Sequence, residues 1–222
     1  MSRRRGLSFA LLAVLALSSG CASSQTTEVE KLRARAAHER GLAALADRNR
    51  GEALVALREA VAFDPTAAAY HDSFGLILLD LGQVEAATEE FRKALDLDAK
   101  LADTHFHLGT ALAEARRWEE AVRSYRAALA LPTLTVPDFT HQNLGLALYH
   151  LKRYGEAEQA LRFALSLDPE MQAAYYNLGL VLVAEDRKEE AKAAFRQARK
   201  LGPESALGQA AKERLKDLGE ES

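Results

Sequence analysis

The chain has 222 residues, of which 48% are apolar and 27% are charged, and this mixture excludes an intrinsically disordered protein. The formal net charge is −3 and no cluster of basic residues stands out, which argues against nucleic-acid binding. Cys21 is the only cysteine, so an intrachain disulfide and a metal site built from several cysteines are both excluded.

The first 20 residues have the pattern of an export signal. Arginines at 3–5 precede an apolar run from Leu7 to Leu17, and small residues follow at 18–20. This run is too short to cross a hydrocarbon layer, which takes about 20 residues of helix. Residues 1–20 are therefore predicted to be a signal peptide. They contain three arginines and no acidic residue, so their removal changes the net charge from −3 to −6.

Cys21 follows directly, in the sequence Leu17-Ser18-Ser19-Gly20-Cys21. This stretch resembles the lipobox of bacterial lipoproteins, in which the cysteine is acylated and becomes the mature N-terminus, although Ser18 stands where a large aliphatic residue is usual. The resemblance implies fatty acyl chains such as palmitate on Cys21, with a polar tether over 21–27. In lipoproteins of enteric bacteria, an Asp after the acylated cysteine retains the protein at the inner membrane. Ala22 stands at that position here, so the resemblance implies the outer membrane, with the protein facing the periplasm or the cell surface. The alternative is an ordinary secretory signal with a free thiol.

A repeated pattern of small and large residues occupies the rest of the chain. Glycines recur at spacings of 34, 34, 36 and 34 residues, and each is followed by an alanine, a large apolar residue and a second alanine at fixed distances. The glycines are Gly41, Gly75, Gly109, Gly145 and Gly179; the first alanines are Ala53, Ala87, Ala121, Ala157 and Ala191; the large residues are Leu57, Phe91, Tyr125, Leu161 and Phe195; the second alanines are Ala60, Ala94, Ala128, Ala164 and Ala198.

This pattern resembles the tetratricopeptide repeat, a helix-turn-helix unit. The resemblance implies an all-α solenoid, a right-handed superhelix in which the small residues lie where two helices cross and the large residue packs beside them. Residues 28–33 are expected to extend the first helix, and Ser205 to cap a polar final helix within 206–222. The five repeats implied within 28–205 are 34–67, 68–101, 102–135, 138–171 and 172–205.

Two additional residues separate the third and fourth repeats, in the segment 131–138. Pro132, Pro137 and the aliphatic residues between them predict a stiff, exposed apolar loop. Asp138 is expected to cap the helix that follows. The sequence leaves open whether this loop is a second contact point or a spacer.

Histidines and paired glutamates are the candidates for a chemical site. His71, His105 and His141 occupy the fourth position of successive repeats, roughly 10 Å apart, which is too far to share a zinc ion with bonds of about 2 Å. Packing is the preferred interpretation. Glutamate pairs such as 89–90 and 119–120 are interpreted as solvated residues at the starts of helices. No catalytic motif is present, so no enzyme, metal, cofactor or small-molecule substrate is expected.

In tetratricopeptide arrays the first helix of each repeat lines a concave groove through positions two, five, nine, twelve and thirteen. The resemblance therefore implies a largely apolar groove for a protein partner, suited to an amphipathic helix or an apolar peptide. The alternative is that some of these side chains pack within the superhelix. After Leu42 and Leu45 of the first repeat, the expected groove residues are Leu76, Leu79, Phe106, Phe139, Leu146, Tyr149, Tyr176, Leu180 and Val183.

A narrower resemblance combines the lipobox-like cysteine, the repeats and the loop that leads into His141-Gln142-Asn143-Leu144-Gly145. Together these features are similar to the pilotin lipoproteins of type IV pili, some of which have six repeats with cysteines inside them. This resemblance implies an outer-membrane scaffold that promotes secretin assembly, with a secretin subunit as its partner. Two alternatives remain open. One is an adaptor for cell-wall hydrolases, periplasmic proteases or outer-membrane β-barrel assembly, and the other is an unrecognised enzyme.

Overall fold

The computed structural model describes residues 27–220, and within that range it contains eleven α-helices and no strand. This confirms the all-helical solenoid expected from the sequence. The predicted signal peptide and Cys21 lie outside the described residues. None of the helices is both long enough and apolar enough to cross a membrane. The helices are α1 (Glu28–Ala46), α2 (Arg50–Phe63), α3 (Ala68–Asp80), α4 (Val84–Leu97), α5 (Ala102–Glu114), α6 (Trp118–Leu129), α7 (Pro137–His150), α8 (Tyr154–Leu167), α9 (Gln172–Ala184), α10 (Lys188–Leu201) and α11 (Ala206–Asp217).

The helices form five successive pairs, each with a first helix (α1, α3, α5, α7, α9) and a second helix (α2, α4, α6, α8, α10), and α11 closes the end. From α3 to α11, neighbouring first helices touch one another. Within residues 27–220 no comparable backbone contact joins neighbouring second helices. Because the first helices lie closer together, they form the inner, concave side of the curved ribbon.

The five repeated glycines lie where the two helices of a pair cross. A Cβ atom on Gly109 would lie 2.6 Å from the ring of Tyr125, and one on Gly179 would lie 2.5 Å from the ring of Phe195. Both rings are fully buried, so neither can move aside without disturbing its packed neighbours. The close crossing expected from the small residues is therefore confirmed. The same contact recurs at Gly41 with Leu57, Gly75 with Phe91 and Gly145 with Leu161.

The turn inside each pair uses a left-handed residue at one repeated position. Arg116 has a φ of 57° and Lys152 a φ of 59°, in the region that side chains other than glycine seldom adopt. The first helix ends there and the chain reverses direction into the second helix. Among the five equivalent residues only Gly82 is a glycine, so the sequences of the other four turns do not mark the left-handed position. The other two equivalent residues are Arg48 and Asp186.

The segment between the third and fourth pairs differs from its expectation in two respects. The helix after it begins at Pro137 with Val136 as its cap, so the assignment of Asp138 as the cap is wrong. Proline suits the first helical position because its φ is fixed and no N–H is needed there. The aliphatic side chains of the loop are half-buried rather than exposed. The cause is docking onto α5: the backbone N–H and hydroxyl of Thr135 donate to Asp103 Oδ1 at 2.9 and 3.0 Å.

Both ends of the solenoid are capped by side chains. Helix α1 begins at Glu28, and Thr27 and Glu30 form a reciprocal capping box at its start. At the other end, the Ser205 hydroxyl accepts a hydrogen bond from the Gly208 N–H at 3.0 Å and starts α11. The N-terminal extension of α1 and the Ser205 cap are therefore confirmed.

Candidate functional site

The expected groove residues form a partly exposed surface on four first helices. Phe139 is 51% exposed and Val183 is 41% exposed, and the remaining side chains are half-buried. None of the nine is fully withdrawn into the core, so all are available for contact from the concave side. They are Leu76 and Leu79 on α3, Phe106 on α5, Phe139, Leu146 and Tyr149 on α7, and Tyr176, Leu180 and Val183 on α9.

The aromatic members of this surface are held by buried rings beneath them. The Phe106 ring centroid lies 6.1 Å from that of Tyr125, and the Tyr176 centroid lies 5.6 Å from that of Phe195. Tyr125 and Phe195 are the residues that also contact the crossing glycines. The packing that sets the helix crossing therefore also fixes the groove aromatics, and fixed side chains lose little entropy when a partner binds.

Polar groups in the first half of the groove are paired between successive first helices. His38 Nε2 lies 2.9 Å from Ser73 Oγ, and His107 Nδ1 lies 2.9 Å from Asp72 Oδ1. Each pair connects the same two positions of successive repeats. The first pair joins α1 to α3, and the second joins α3 to α5. Asp72 is therefore engaged within the solenoid, and this half of the groove offers a partner few free hydrogen-bonding groups.

The row of large groove residues is interrupted on α5. Thr110 and Ala113 take the places that Leu76 and Leu79 occupy on α3, and a cleft of about 220 Å³ opens there. The Tyr125 hydroxyl lies at its floor and donates to Thr110 Oγ1 at 3.5 Å. Burial raises the pKa of Tyr125 to about 12, so this hydroxyl stays protonated at neutral pH. We call this cleft the α5 notch; it is lined by Thr110, Ala113, Glu114, Trp118, Tyr125, Asn143, Leu146 and Ala147.

A cation stands at the C-terminal end of the same row. Arg214 on α11 follows Leu180 by 34 residues, the spacing of the repeat, and its side chain is 50% exposed. Its guanidinium lies beside the hydroxyl of Tyr176, and hydrogen bonding to that hydroxyl raises the pKa of Arg214. Asp217 Oδ2 forms an ion pair with Arg214 Nη1 at 3.6 Å. The sequence analysis treated α11 only as a polar cap and so missed its contribution to the groove.

His71 and Glu90 form a buried pair, in which His71 packs as expected and Glu90 does not lie where the sequence analysis placed it. His71 Nδ1 lies 2.6 Å from Glu90 Oε2, and Lys93 donates to the other carboxylate oxygen at 2.7 Å. His71 Nε2 also bonds the carbonyl oxygen of Pro65 at 3.0 Å. The interpretation of Glu90 as a solvated residue at a helix start is wrong, because it lies in the middle of α4, where its side chain turns inward to meet His71.

The other two histidines at the fourth position have contacts that are separate from each other and from His71. His105 Nε2 bonds the carbonyl oxygen of Ala99 at 3.0 Å, and the His141 ring packs on Phe163 with the centroids 4.3 Å apart. His105 therefore holds the segment before α5, and His141 packs against a neighbouring ring. In the described part of the chain, no three His, Cys, Asp or Glu side chains are grouped so that they could hold a metal ion.

The second helices carry a series of ion pairs between successive repeats. Arginines on the second helices pair with glutamates on the next second helix, so ion pairs recur along this side of the solenoid. Each exposed pair contributes about 1 kcal/mol or less, but the row keeps the outer face hydrated. The pairs are Arg92 with Glu120 at 3.3 Å, Arg126 with Glu156 at 2.6 Å and Arg162 with Glu190 at 3.6 Å.

Two family models match the chain. A TPR repeat model matches residues 75–115, and a tetratricopeptide repeat model matches residues 148–215. These matches agree with the helix pairs and with the glycine contacts. The chain therefore contains tetratricopeptide repeats, a fold that generally acts as a non-catalytic scaffold for protein partners.

Solved structures of other tetratricopeptide-repeat proteins have the same fold. YrrB, described as a TPR protein with an unusual peptide-binding site, is 21% identical with a TM-score of 0.70, over 84% of this chain and 94% of that one. The pilF protein of Pseudomonas aeruginosa is 23% identical with a TM-score of 0.69, over 86% and 94%. MamA of Desulfovibrio magneticus is 22% identical with a TM-score of 0.71, over 78% and 97%. At such identities the likeness establishes the fold alone.

Proposed function

We propose that this tetratricopeptide-repeat protein is a scaffold held at the outer membrane by lipid on Cys21, and that it promotes assembly of a type IV pilus secretin. The observation that carries its binding role is the concave groove, where nine large apolar side chains are exposed or half-buried. The pilus assignment is supported by the sequence resemblance to pilotin lipoproteins and by the fold shared with pilF. In this proposal the partner is a secretin subunit.

The tether gives the groove a physical role in assembly. Lipid chains on Cys21 would restrict the scaffold to the membrane surface, and the polar sequence of 21–27 is short enough to keep the groove close to it. Confinement to the membrane surface raises the effective concentration at which captured subunits meet one another. Binding would also cover apolar surface on the secretin subunit until the ring closes. Neither step needs catalytic residues.

Charge placed in the groove is expected to abolish capture of the secretin subunit. The double substitution Phe106→Glu with Tyr176→Glu puts carboxylates at two aromatic contact points, each worth about 2 kcal/mol or more if it is a hot spot. We expect the affinity for the purified secretin subunit to fall by at least about 30-fold. The measurement is co-purification and titration calorimetry, with circular dichroism to show that the helices remain.

The matched control is Phe163→Glu, which changes an aromatic residue on α8 that is 52% exposed. It introduces the same charge outside the groove, so secretin capture should remain. Undiminished capture by the double variant would contradict the proposal. Equal loss in the control would assign the effect to charge in general rather than to the groove.

Removal of the acylation site is expected to release the protein from membranes. The Cys21→Ser variant keeps the export signal and the solenoid but has no thiol to acylate, so it should fractionate as a soluble periplasmic protein. Secretin multimers should decrease while secretin monomer remains, which a blot of the two species measures. Continued sedimentation with the outer membrane would contradict the lipid anchor. Unchanged multimers with altered cell-wall enzymes would favour the adaptor function instead.

A further inference from the structure

Two features of the groove are not explained by its apolar character alone. The α5 notch interrupts the row of large side chains in the third repeat, and Arg214 ends the same row with a cation. The notch and the cation are three repeat steps apart, or roughly 30 Å at about 10 Å per helix pair. A single bound segment of about 20 residues as a helix, or fewer if extended, covers that distance.

The chemistry of the notch suits one bulky apolar side chain. Its walls include the ring of Trp118 and the side chains of Leu146 and Ala147, and its volume of about 220 Å³ is large enough for a leucine or phenylalanine side chain. The neighbouring repeats carry leucine in place of Thr110, as Leu76 and Leu146. Glu114 also lines the notch and carries a carboxylate, which repels a second carboxylate placed there. An acidic group of a partner is therefore disfavoured at this point.

The chemistry at Arg214 suits a carboxylate. The Arg214 side chain is half exposed, the Tyr176 hydroxyl is a neighbour, and the one carboxylate paired with it, Asp217, is 3.6 Å away. A guanidinium has a planar set of donors that matches a carboxylate with two parallel hydrogen bonds. Asn177, the residue after Tyr176 on α9, is only 8% exposed, so it adds little to the donors at the groove surface. The site therefore fits a side-chain carboxylate better than a free C-terminus.

We propose that the groove recognises an apolar segment that carries an aspartate or glutamate, with a bulky apolar side chain in the α5 notch and the acidic side chain on Arg214. This inference rests on the groove of the proposed function and adds the chemistry of the bound segment. It does not depend on the partner being a secretin.

The test is selection from a library of random 20-residue peptides displayed on phage, with the full-length chain immobilised. Enriched peptides should combine a bulky apolar residue near one end with an aspartate or glutamate near the other. Thr110→Leu fills the notch with the residue that neighbouring repeats carry, and Arg214→Gln removes the cation. Each should weaken a resynthesised selected peptide by about tenfold or more. Lys216→Gln, an exposed cation on the same helix, is the control and should leave affinity within about twofold.

Three results would overturn the inference. One is enrichment without acidic residues, the second is binding that Arg214→Gln leaves unchanged, and the third is binding that Thr110→Leu leaves unchanged. Two changes to the peptide distinguish a side-chain carboxylate from a terminal one: amidation of its C-terminus, and Asp→Asn or Glu→Gln within it. If amidation abolished binding and the side-chain change had no effect, the site would bind a terminal carboxylate and the inference would be wrong. The selection uses neither secretin nor membranes, so its failure is separable from failure of the secretin assignment.

Discussion

Substitution of Gly109 by valine is expected to lower the free energy of unfolding by about 3 kcal/mol, near the upper end for overpacked sites. A Cβ atom there would lie 2.6 Å from two ring carbons of Tyr125, and that ring is 1% exposed. The helices of the third pair must separate to admit it. Because each pair of a solenoid is stabilised by its neighbours, separation also weakens the contacts with the second and fourth pairs. Urea unfolding followed by circular dichroism measures the loss.

Gly155 provides the matched control for this substitution. It lies in the first turn of α8, and a Cβ atom added there would meet nothing within 4 Å. Gly155→Ala should leave stability unchanged or raise it by about 0.5–1 kcal/mol, since alanine is the better helix former. If Gly109→Val proved as stable as the wild type, the repeated glycines would not be the crossing points of the helices.

Loss of the buried histidine is the second large effect. His71→Leu should lower the free energy of unfolding by about 3 kcal/mol at pH 6, because it leaves the carboxylate of Glu90 buried with only Lys93 as a partner. The two side chains are 5% and 11% exposed, so water cannot replace the missing bond. The double variant His71→Leu with Glu90→Leu should recover much of the loss, because no buried charge remains. A double variant that is less stable than His71→Leu alone would contradict this account.

The same pair gives stability a defined dependence on pH. The hydrogen bond to Glu90 raises the pKa of His71 above its usual 6.5, so the contribution of His71 is complete below about pH 6.5 and is lost as the pH rises through the higher folded value. Burial acts to raise the pKa of Glu90, but hydrogen bonds from His71 and Lys93 outweigh it and hold the pKa below 4.5. That contribution is present above about pH 4.5 and is lost on acidification.

The pair should therefore stabilise the protein fully between about pH 4.5 and 6.5 and less on either side. The measurement is urea unfolding of the wild type and of the double leucine variant at several pH values. The difference in unfolding free energy between the two proteins should follow this profile. A difference that does not change with pH would show that the pair is not ionised in the folded protein.

The repeated pattern predicted the fold because close packing leaves little choice of residue at a helix crossing. Two helices can approach at Gly109 only because that residue is small, and the large side chain of Tyr125 fills the space beside it. The same spacing of a glycine and a large residue recurs in all five pairs. That spacing also placed the groove residues on the first helices, since positions in a helix have fixed directions once the crossing is set. Ser205 was readable for a local reason, because a serine before a helix satisfies a free N–H.

Features that depend on contacts distant along the chain were not readable in the same way. The burial of Glu90 is decided by His71 on the preceding helix, and nothing near Glu90 in the sequence marks it. The α5 notch arises from what is missing at Thr110 and Ala113 relative to the other repeats. Aligning the five repeats position by position would have revealed it. Arg214 became part of the groove only once α11 was placed beside α9.

The most direct test of the account is photo-crosslinking in cells from single positions on the two faces. A photoreactive phenylalanine analogue would replace Phe106 or Tyr176 in the groove, or Phe163 on the convex side. The account predicts crosslinks to the secretin subunit from positions 106 and 176 and none from position 163. Secretin crosslinks from position 163 alone, or crosslinks from the groove positions only to other proteins, would contradict it.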